Sequence, residues 1–72
     1  MLRYTIHALR RMKERNLPEH LAEVVVAMGK KEHVNHRIVR FSWNSFTVVV
    51  DTRDWQVITA YDGKLEEVVR EV

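Results

Sequence analysis

Apolar residues recur with a helical period in the first part of the chain. Residues 4–15 contain nothing that breaks a helix, and most of them favour one. An apolar i, i+3, i+4, i+7 pattern over residues 21–28 predicts a second helix. Asn16 suits the left-handed residue that ends the first helix, and Gly29 suits the cap that ends the second.

The middle of the chain has the pattern of strands. Residues 34–43 are predicted to form an extended strand, followed by a tight turn at residues 44–45. Residues 46–50 are rich in β-branched side chains and carry apolar residues on both faces, which predicts a central strand. After a turn at residues 51–54, a third strand is expected at residues 55–61.

A last apolar repeat over residues 65–72 predicts a short C-terminal helix. The predicted fold class is therefore α+β: two N-terminal helices packed on a three-stranded, or four-stranded, antiparallel sheet, with the short helix at the end. The 72 residues are expected to form one domain, 1–72, with a small core.

Composition narrows the functional classes. The chain has no cysteine, so disulfides and thiolate zinc sites are excluded. No apolar run is long enough to span a membrane, and the start lacks the pattern of a signal peptide, so we expect a soluble, cytoplasmic protein without a membrane partner. Positive charge is concentrated in residues 1–16, which carry five Lys or Arg and one Glu. This distribution favours an anionic ligand.

The first predicted helix carries the main candidate site. His7, Arg11 and Arg15 are four residues apart, so they form one stripe along the helix, beside the apolar positions Thr5, Ile6, Ala8, Leu9 and Met12. Two guanidinium groups beside an imidazole suit a ligand that carries phosphate. The structural alternative is that the arginine stems cover the core while their charged ends stay in water.

Other candidate sites are weaker. His33 and His36 are three apart, and residues at that spacing in a strand point to opposite faces, so the pair is not expected to bind one metal ion. We therefore expect no metal site. The chain also has only two glycines and no phosphate-binding loop, so no cofactor is expected. Tyr61 lies at the end of the third strand, on the same face as Thr59, where its hydroxyl could hold a phosphate or donate a proton.

A resemblance to a known family rests on these residues. The pattern Thr5-x-His7-Ala8-x-x-Arg11-Met12-x-x-Arg15, followed by Leu17, a second helix and the segment Val57-Ile58-Thr59-Ala60-Tyr61, resembles domain-of-unknown-function family 4258. The chain departs from it at Asn16, where a glycine is usual, and at Pro18, where a Ser or Thr cap is usual. The layout is also similar to that of the RelE/ParE-like and barnase/colicin-like ribonuclease toxins, by analogy of architecture.

The resemblance implies a small toxin-like endoribonuclease that works without a metal and is neutralised by an antitoxin-like protein. Its catalytic residues would be His7, Arg11, Arg15 and Tyr61, and Arg10 would join the two stripe arginines in contacting RNA. The alternative is a non-catalytic module that binds nucleic acid or a protein partner. A homodimer through a sheet edge or the C-terminal helix is a further expectation.

Overall fold

Two helices lie on one face of a five-stranded sheet in the computed structural model, which describes residues 2–62. The class is α+β, as predicted. The elements in chain order are β1 (Arg3–Tyr4), α1 (Ile6–Glu14), α2 (Glu19–Met28), β2 (Lys30–His33), β3 (Ile38–Trp43), β4 (Phe46–Asp51) and β5 (Gln56–Asp62). The predicted C-terminal helix at residues 65–72 lies outside the described residues.

The sheet differs from the prediction in strand number and direction. Its order is β1-β5-β4-β3-β2, and β1 runs parallel to β5 while the other neighbours are antiparallel. The expectation of a purely antiparallel sheet of three or four strands was therefore wrong. Two short edge strands account for the difference, because β1 and β2 have two and four residues and carry no clear apolar alternation. The prediction that residues 46–50 form the central strand is confirmed.

The strand predicted at residues 34–43 is interrupted at its start. A bend at residues 34–37 separates β2 from β3. The side chain of Asn35 stabilises this bend, because its Oδ1 atom accepts hydrogen bonds from the backbone N–H groups of Arg37 and Ile38 at 2.8 and 2.9 Å. Such local side-chain bonds compete with strand pairing.

The first helix begins later than predicted, because Tyr4 pairs with Val57 in the sheet. Thr5 is the N-cap of α1, and its hydroxyl accepts a hydrogen bond from the N–H of Ala8 at 2.9 Å. Asn16 has a φ of 55°, which confirms its predicted left-handed conformation at the end of α1. Gly29 caps α2 with a φ of −80°.

The core lies between the helices and one face of the sheet, called here the helix face. Cross-strand pairs such as Val39 with Val50 and Val48 with Ala60 place their side chains on this face. The buried apolar residues are Leu2, Ala8, Met12, Leu17, Ala22, Val25, Val39, Phe41, Val48, Val50, Val57 and Ala60. They form one cluster, which holds both helices against the sheet.

Three residues assigned to the apolar helix faces are in fact exposed. Ile6 is 78% exposed and Leu9 is 42% exposed, so the buried face of α1 is narrower than predicted and consists of Ala8 and Met12. Met28 at the end of α2 is 69% exposed. Ile6 and Leu9 lie on the sides of α1 turned away from the buried Ala8 and Met12, and Met28 is the last residue of α2.

A β-bulge shifts the register between β4 and β5. Val49 pairs with Thr59 and Val50 pairs with Val57, so Ile58 is the extra residue of β5. Beyond the bulge, Ala60 lies on the helix face. Thr59 and Tyr61 therefore share the opposite face, called here the second face.

Candidate nucleic-acid interface

Helix α1 presents the His7–Arg11–Arg15 stripe because its opposite side is fixed to the sheet. Ala8 and Met12 are buried, which sets the rotation of the helix about its axis. The backbone N–H of Thr5 donates to the carbonyl oxygen of Val57 at 3.1 Å, which fixes the start of the helix to β5. Arg11 and Lys13 lie in the last turn, where positive charge interacts favourably with the helix dipole.

Exposure decreases along the stripe. His7 is exposed, whereas Arg11 and Arg15 are partly buried, and the Nε atom of Arg15 is shielded from solvent. The Arg11 side chain is 39% exposed and forms an ion pair with Glu14 at 3.7 Å, between Nη1 and Oε1. Only the N-terminal part of the stripe is thus fully open to a ligand, while the arginine stems lie at the border between core and solvent.

Arg10 and Lys13 extend this positive surface outwards. Both side chains are exposed, and they lie three residues apart on the solvent side of α1. The exposed Ile6 and Leu9 flank them. We call the set of His7, Arg10, Arg11, Lys13 and Arg15 the α1 basic surface. It has four Lys or Arg side chains and one imidazole, and Glu14 is the one acidic residue of the helix.

The structure does not bring Tyr61 to the α1 basic surface. Tyr61 pairs with Thr47 and shares the second face with Thr59, whereas α1 packs on the helix face. The sheet therefore lies between the Tyr61 side chain and His7. The prediction that Thr59 and Tyr61 share a face agrees with the register, but a period-two pattern cannot show which face that is.

Tyr4, which was not a candidate from the sequence, lies where β1 meets the start of α2. Its hydroxyl donates to the carbonyl oxygen of Glu19 at 3.3 Å. Burial raises the pKa of Tyr4 to about 12, and the carboxylates of Glu23 and Glu19 add to this shift. The hydroxyl is therefore a hydrogen-bond donor throughout the neutral pH range, and it is unsuited to act as a base.

A polar cavity, separate from the α1 basic surface, lies where the loop 34–37 meets the turn between β4 and β5. Its volume is about 340 Å³, and it is lined by His36, Arg37, Thr52 and Arg53. We call it the turn pocket. The sequence offered no signal for it, because the two arginines are far apart along the chain and neither belongs to a recognisable motif.

Residues 2–62 contain no group of three or more His, Cys, Asp or Glu side chains that is placed to hold a metal ion. His33 lies in β2 and His36 in the loop that follows. Within the same residues, neither helix has the length and apolarity needed to span a membrane.

Comparison with models of known protein families found no match, and comparisons with curated proteins and with solved structures found none either. The likeness to domain-of-unknown-function family 4258 and to the ribonuclease toxins stays a prediction from the motif and the layout.

Proposed function

We propose that the protein binds RNA, with the α1 basic surface contacting the phosphates of a single strand. The observation that carries this proposal is the density of exposed cationic groups on one short helix. Arg10 and Lys13 are exposed and Arg11 is partly exposed, and Glu14 is the one acidic side chain among them. Guanidinium groups suit phosphate because they donate two parallel hydrogen bonds to it.

The shape of the surface supports contacts with a backbone more than the enclosure of a small molecule. The exposed positions of α1 form a convex helix face, with the apolar side chains of Ile6 and Leu9 beside the cationic ones. Phosphates that follow one another along a strand can each meet a different side chain on such a face. Ile6 and Leu9 offer apolar contact to the sugar and base atoms of the same strand.

The proposal predicts binding that weakens with salt. For a single strand, the slope of log K against log salt is about −0.7 for each phosphate neutralised. Replacing both Arg10 and Arg11 by Gln is expected to lower affinity about tenfold or more and to reduce the slope by about 1.4. Fluorescence anisotropy with a labelled single-stranded RNA, measured over a salt series, would test this.

The matched control is the double change Lys30→Gln and Lys31→Gln on β2, which removes the same charge from an exposed edge strand. This control is expected to change affinity much less. Equal losses for the two double variants would mean that only net charge matters, which contradicts a specific role for α1. Glu14→Gln should strengthen binding, because it releases Arg11 from its ion pair.

RNA cleavage is the second candidate function, and the position of His7 favours it. This imidazole is exposed at the open end of the stripe, one helical turn from Arg11, so it can reach a phosphate that the arginine holds. His7 would take the proton of the ribose 2′-hydroxyl, whose oxygen would bond to the adjacent phosphorus and displace the 5′-oxygen of the next nucleotide, which takes a proton from water. Arg11 and Arg15 would stabilise the charge that develops on the phosphate oxygens. Tyr61, which was proposed as a further catalytic group, would need to act from the second face.

Incubation of the protein with RNA in EDTA would separate cleavage from binding. If His7 is catalytic, His7→Gln is expected to abolish cleavage while leaving the salt-dependent binding within about twofold of the parent. RNA that stays intact at saturating protein would leave binding alone as the function. Cleavage that survives in the His7→Gln variant would exclude His7 as the catalyst.

We also propose that the α1 basic surface can bind an acidic partner protein, and that the chain can form a homodimer. An acidic, antitoxin-like protein would compete with RNA for Arg10 and Lys13, so its binding should also weaken with salt. The β2 edge is poorly suited to form a dimer, because exposed lysines such as Lys30 and Lys31 oppose edge-to-edge strand pairing.

A further inference from the structure

We infer that the turn pocket is a second phosphate-binding site, separate from the α1 basic surface. Its four lining residues are His36, Arg37, Thr52 and Arg53, and its volume of about 340 Å³ is sufficient for a phosphate group with some of its water. This inference does not depend on RNA binding by α1. It would hold for a phosphate carried by a small molecule as well as for one in an RNA strand.

The walls of the pocket are held in place by hydrogen bonds. Both the backbone N–H and the hydroxyl of Thr52 donate to the carbonyl oxygen of Arg37, each at 2.8 Å. The Asn35 side chain holds the backbone of the same loop through the N–H of Arg37. The loop 34–37 and the β4–β5 turn are therefore fastened to each other, and the pocket is formed before any ligand arrives.

Arg37 is oriented for binding by an ion pair that uses only one of its nitrogens. Its Nε atom lies 3.1 Å from Oδ2 of Asp51, whose side chain is largely buried. No hydrogen bond or ion pair within residues 2–62 occupies the Nη groups of Arg37, whose side chain is 44% exposed. A guanidinium held in this way loses little conformational freedom when it binds an anion.

Arg53 supplies the charge that attracts an anion. The negative charge of Asp51 is already used, since Oδ2 pairs with Arg37 and Oδ1 accepts the backbone N–H of Arg53 at 3.0 Å. The Arg53 guanidinium is exposed and has neither an ion pair nor a hydrogen bond in the described part of the chain. The pocket therefore keeps a net positive charge, with Asp54 as an exposed acidic neighbour in sequence.

Phosphate fits this set of groups better than a carboxylate does. The pocket offers N–H donors from two guanidinium groups and from the ring of His36. These donors outnumber the two oxygen atoms of a carboxylate, whereas a phosphate presents three or four oxygens as hydrogen-bond acceptors. The polar lining also argues against an apolar ligand. The chemical class of the ligand is thus a phosphate group, free or esterified.

Titration of ¹⁵N-labelled protein with two probes, followed by ¹H–¹⁵N NMR spectra, would test the inference. Inorganic pyrophosphate represents a free ligand, and a short single-stranded RNA represents the phosphate of a strand. We expect the amide signals of residues 36, 37, 52 and 53 to shift with saturation. Shifts with pyrophosphate alone would identify a small-molecule source, and shifts with RNA would identify the strand.

Arg53→Gln is the informative variant, because no described contact of its side chain supports the fold. It is expected to weaken binding at the turn pocket about tenfold, as expected for the loss of a charge-assisted hydrogen bond. Lys31→Gln on β2 is the charge-matched control and should leave this binding nearly unchanged. The inference is wrong if neither probe shifts the turn signals, or if the two variants weaken binding equally.

The same spectra separate this inference from the proposed function. Signals of α1 report on the α1 basic surface, and signals of the loop 34–37 and the β4–β5 turn report on the turn pocket. If signals at the turn pocket shift and those of α1 do not, RNA binding by α1 is contradicted and the turn pocket is supported. If signals of α1 shift and those at the turn pocket do not, only the turn pocket is contradicted.

Discussion

The hydroxyl group of Thr5 donates a hydrogen bond to the carbonyl oxygen of Ile58 at 3.1 Å. The hydroxyl oxygen of Thr5 also accepts a hydrogen bond from the N–H of Ala8 at 2.9 Å, so this one side chain both caps α1 and fixes it to β5. Ile58 is the extra residue of the β-bulge and has no partner in the register of β4. The start of the helix that carries the α1 basic surface is therefore anchored at the bulge.

Replacing Thr5 by Ala should destabilise the protein by about 1–2 kcal/mol, because it removes the helix cap and the bond to Ile58 together. Thr5→Ser keeps the hydroxyl and should lose much less stability. Urea unfolding followed by circular dichroism would measure both. Equal unfolding midpoints for the Ala and Ser variants would show that the hydroxyl bonds contribute nothing.

Gly29 is needed for space rather than for backbone freedom, since its φ is −80°. A Cβ atom there would collide with the carbonyl oxygen of Val25 and lie 2.7 Å from that of Ser42. Because both contacts are with backbone, Gly29→Ala should force α2 away from β3 and cost about 1–3 kcal/mol. Thermal unfolding would show this as a lower Tm. Met28→Ala, at a side chain that is 69% exposed, is the control and should change stability by less than about 0.5 kcal/mol.

Tyr4 should make stability fall in alkaline solution. Its pKa is raised from 10.0 to about 12, so the hydroxyl stays protonated in the folded protein while the unfolded chain loses the proton near pH 10. The contribution of the protonated Tyr4 hydroxyl to the stability of the fold is therefore fully present below pH 10 and is lost as the pH rises through about 12. Urea midpoints measured across this range should fall less for Tyr4→Phe than for the parent. Parallel pH profiles for the two proteins would contradict the assignment.

Thr59 offers a stabilising change. Its hydroxyl oxygen is buried on the second face, and no hydrogen bond within the described structure reaches it. Thr59→Val replaces this hydroxyl with a methyl group of similar size and should stabilise the protein by about 1 kcal/mol, because an unpaired buried polar group is costly. Thr59→Ser retains the hydroxyl and should give no gain. A lower urea midpoint for Thr59→Val than for the parent would mean that the hydroxyl has a partner after all.

The sequence predicted correctly those features that depend on the preferences of neighbouring residues. Asn16 ends α1 with positive φ, and Asn44 and Ser45 form the tight turn with φ values of 50° and 70°. Residues 46–50, of which four are β-branched, form the central strand of the sheet, with β3 on one side and β5 on the other. Each of these features follows from the conformational preference of a few adjacent residues.

Features that depend on distant pairing could not be predicted. β1 has two residues, and it is a strand only because Val57 lies beside Tyr4. The placement of Tyr61 away from His7 depends on the extra residue Ile58, which no alternation of side chains marks. Ile6 was predicted to continue the apolar face of α1, but it lies two residues before the buried Ala8 and therefore on the side of the helix turned away from the sheet, where it is 78% exposed.

The parallel pairing of β1 with β5 has a consequence for the order of folding. During synthesis, Arg3 leaves the ribosome long before Gln56, its partner in the sheet. The hairpins of β2, β3 and β4 involve shorter loops and can close first, whereas β1 must wait for nearly the whole described chain. Until then α1 lacks its bond to Ile58, and its buried residues Ala8 and Met12 have no strand β5 to cover them. Helix α1 is thus synthesised before α2 but is among the last of the described elements to be fixed in place.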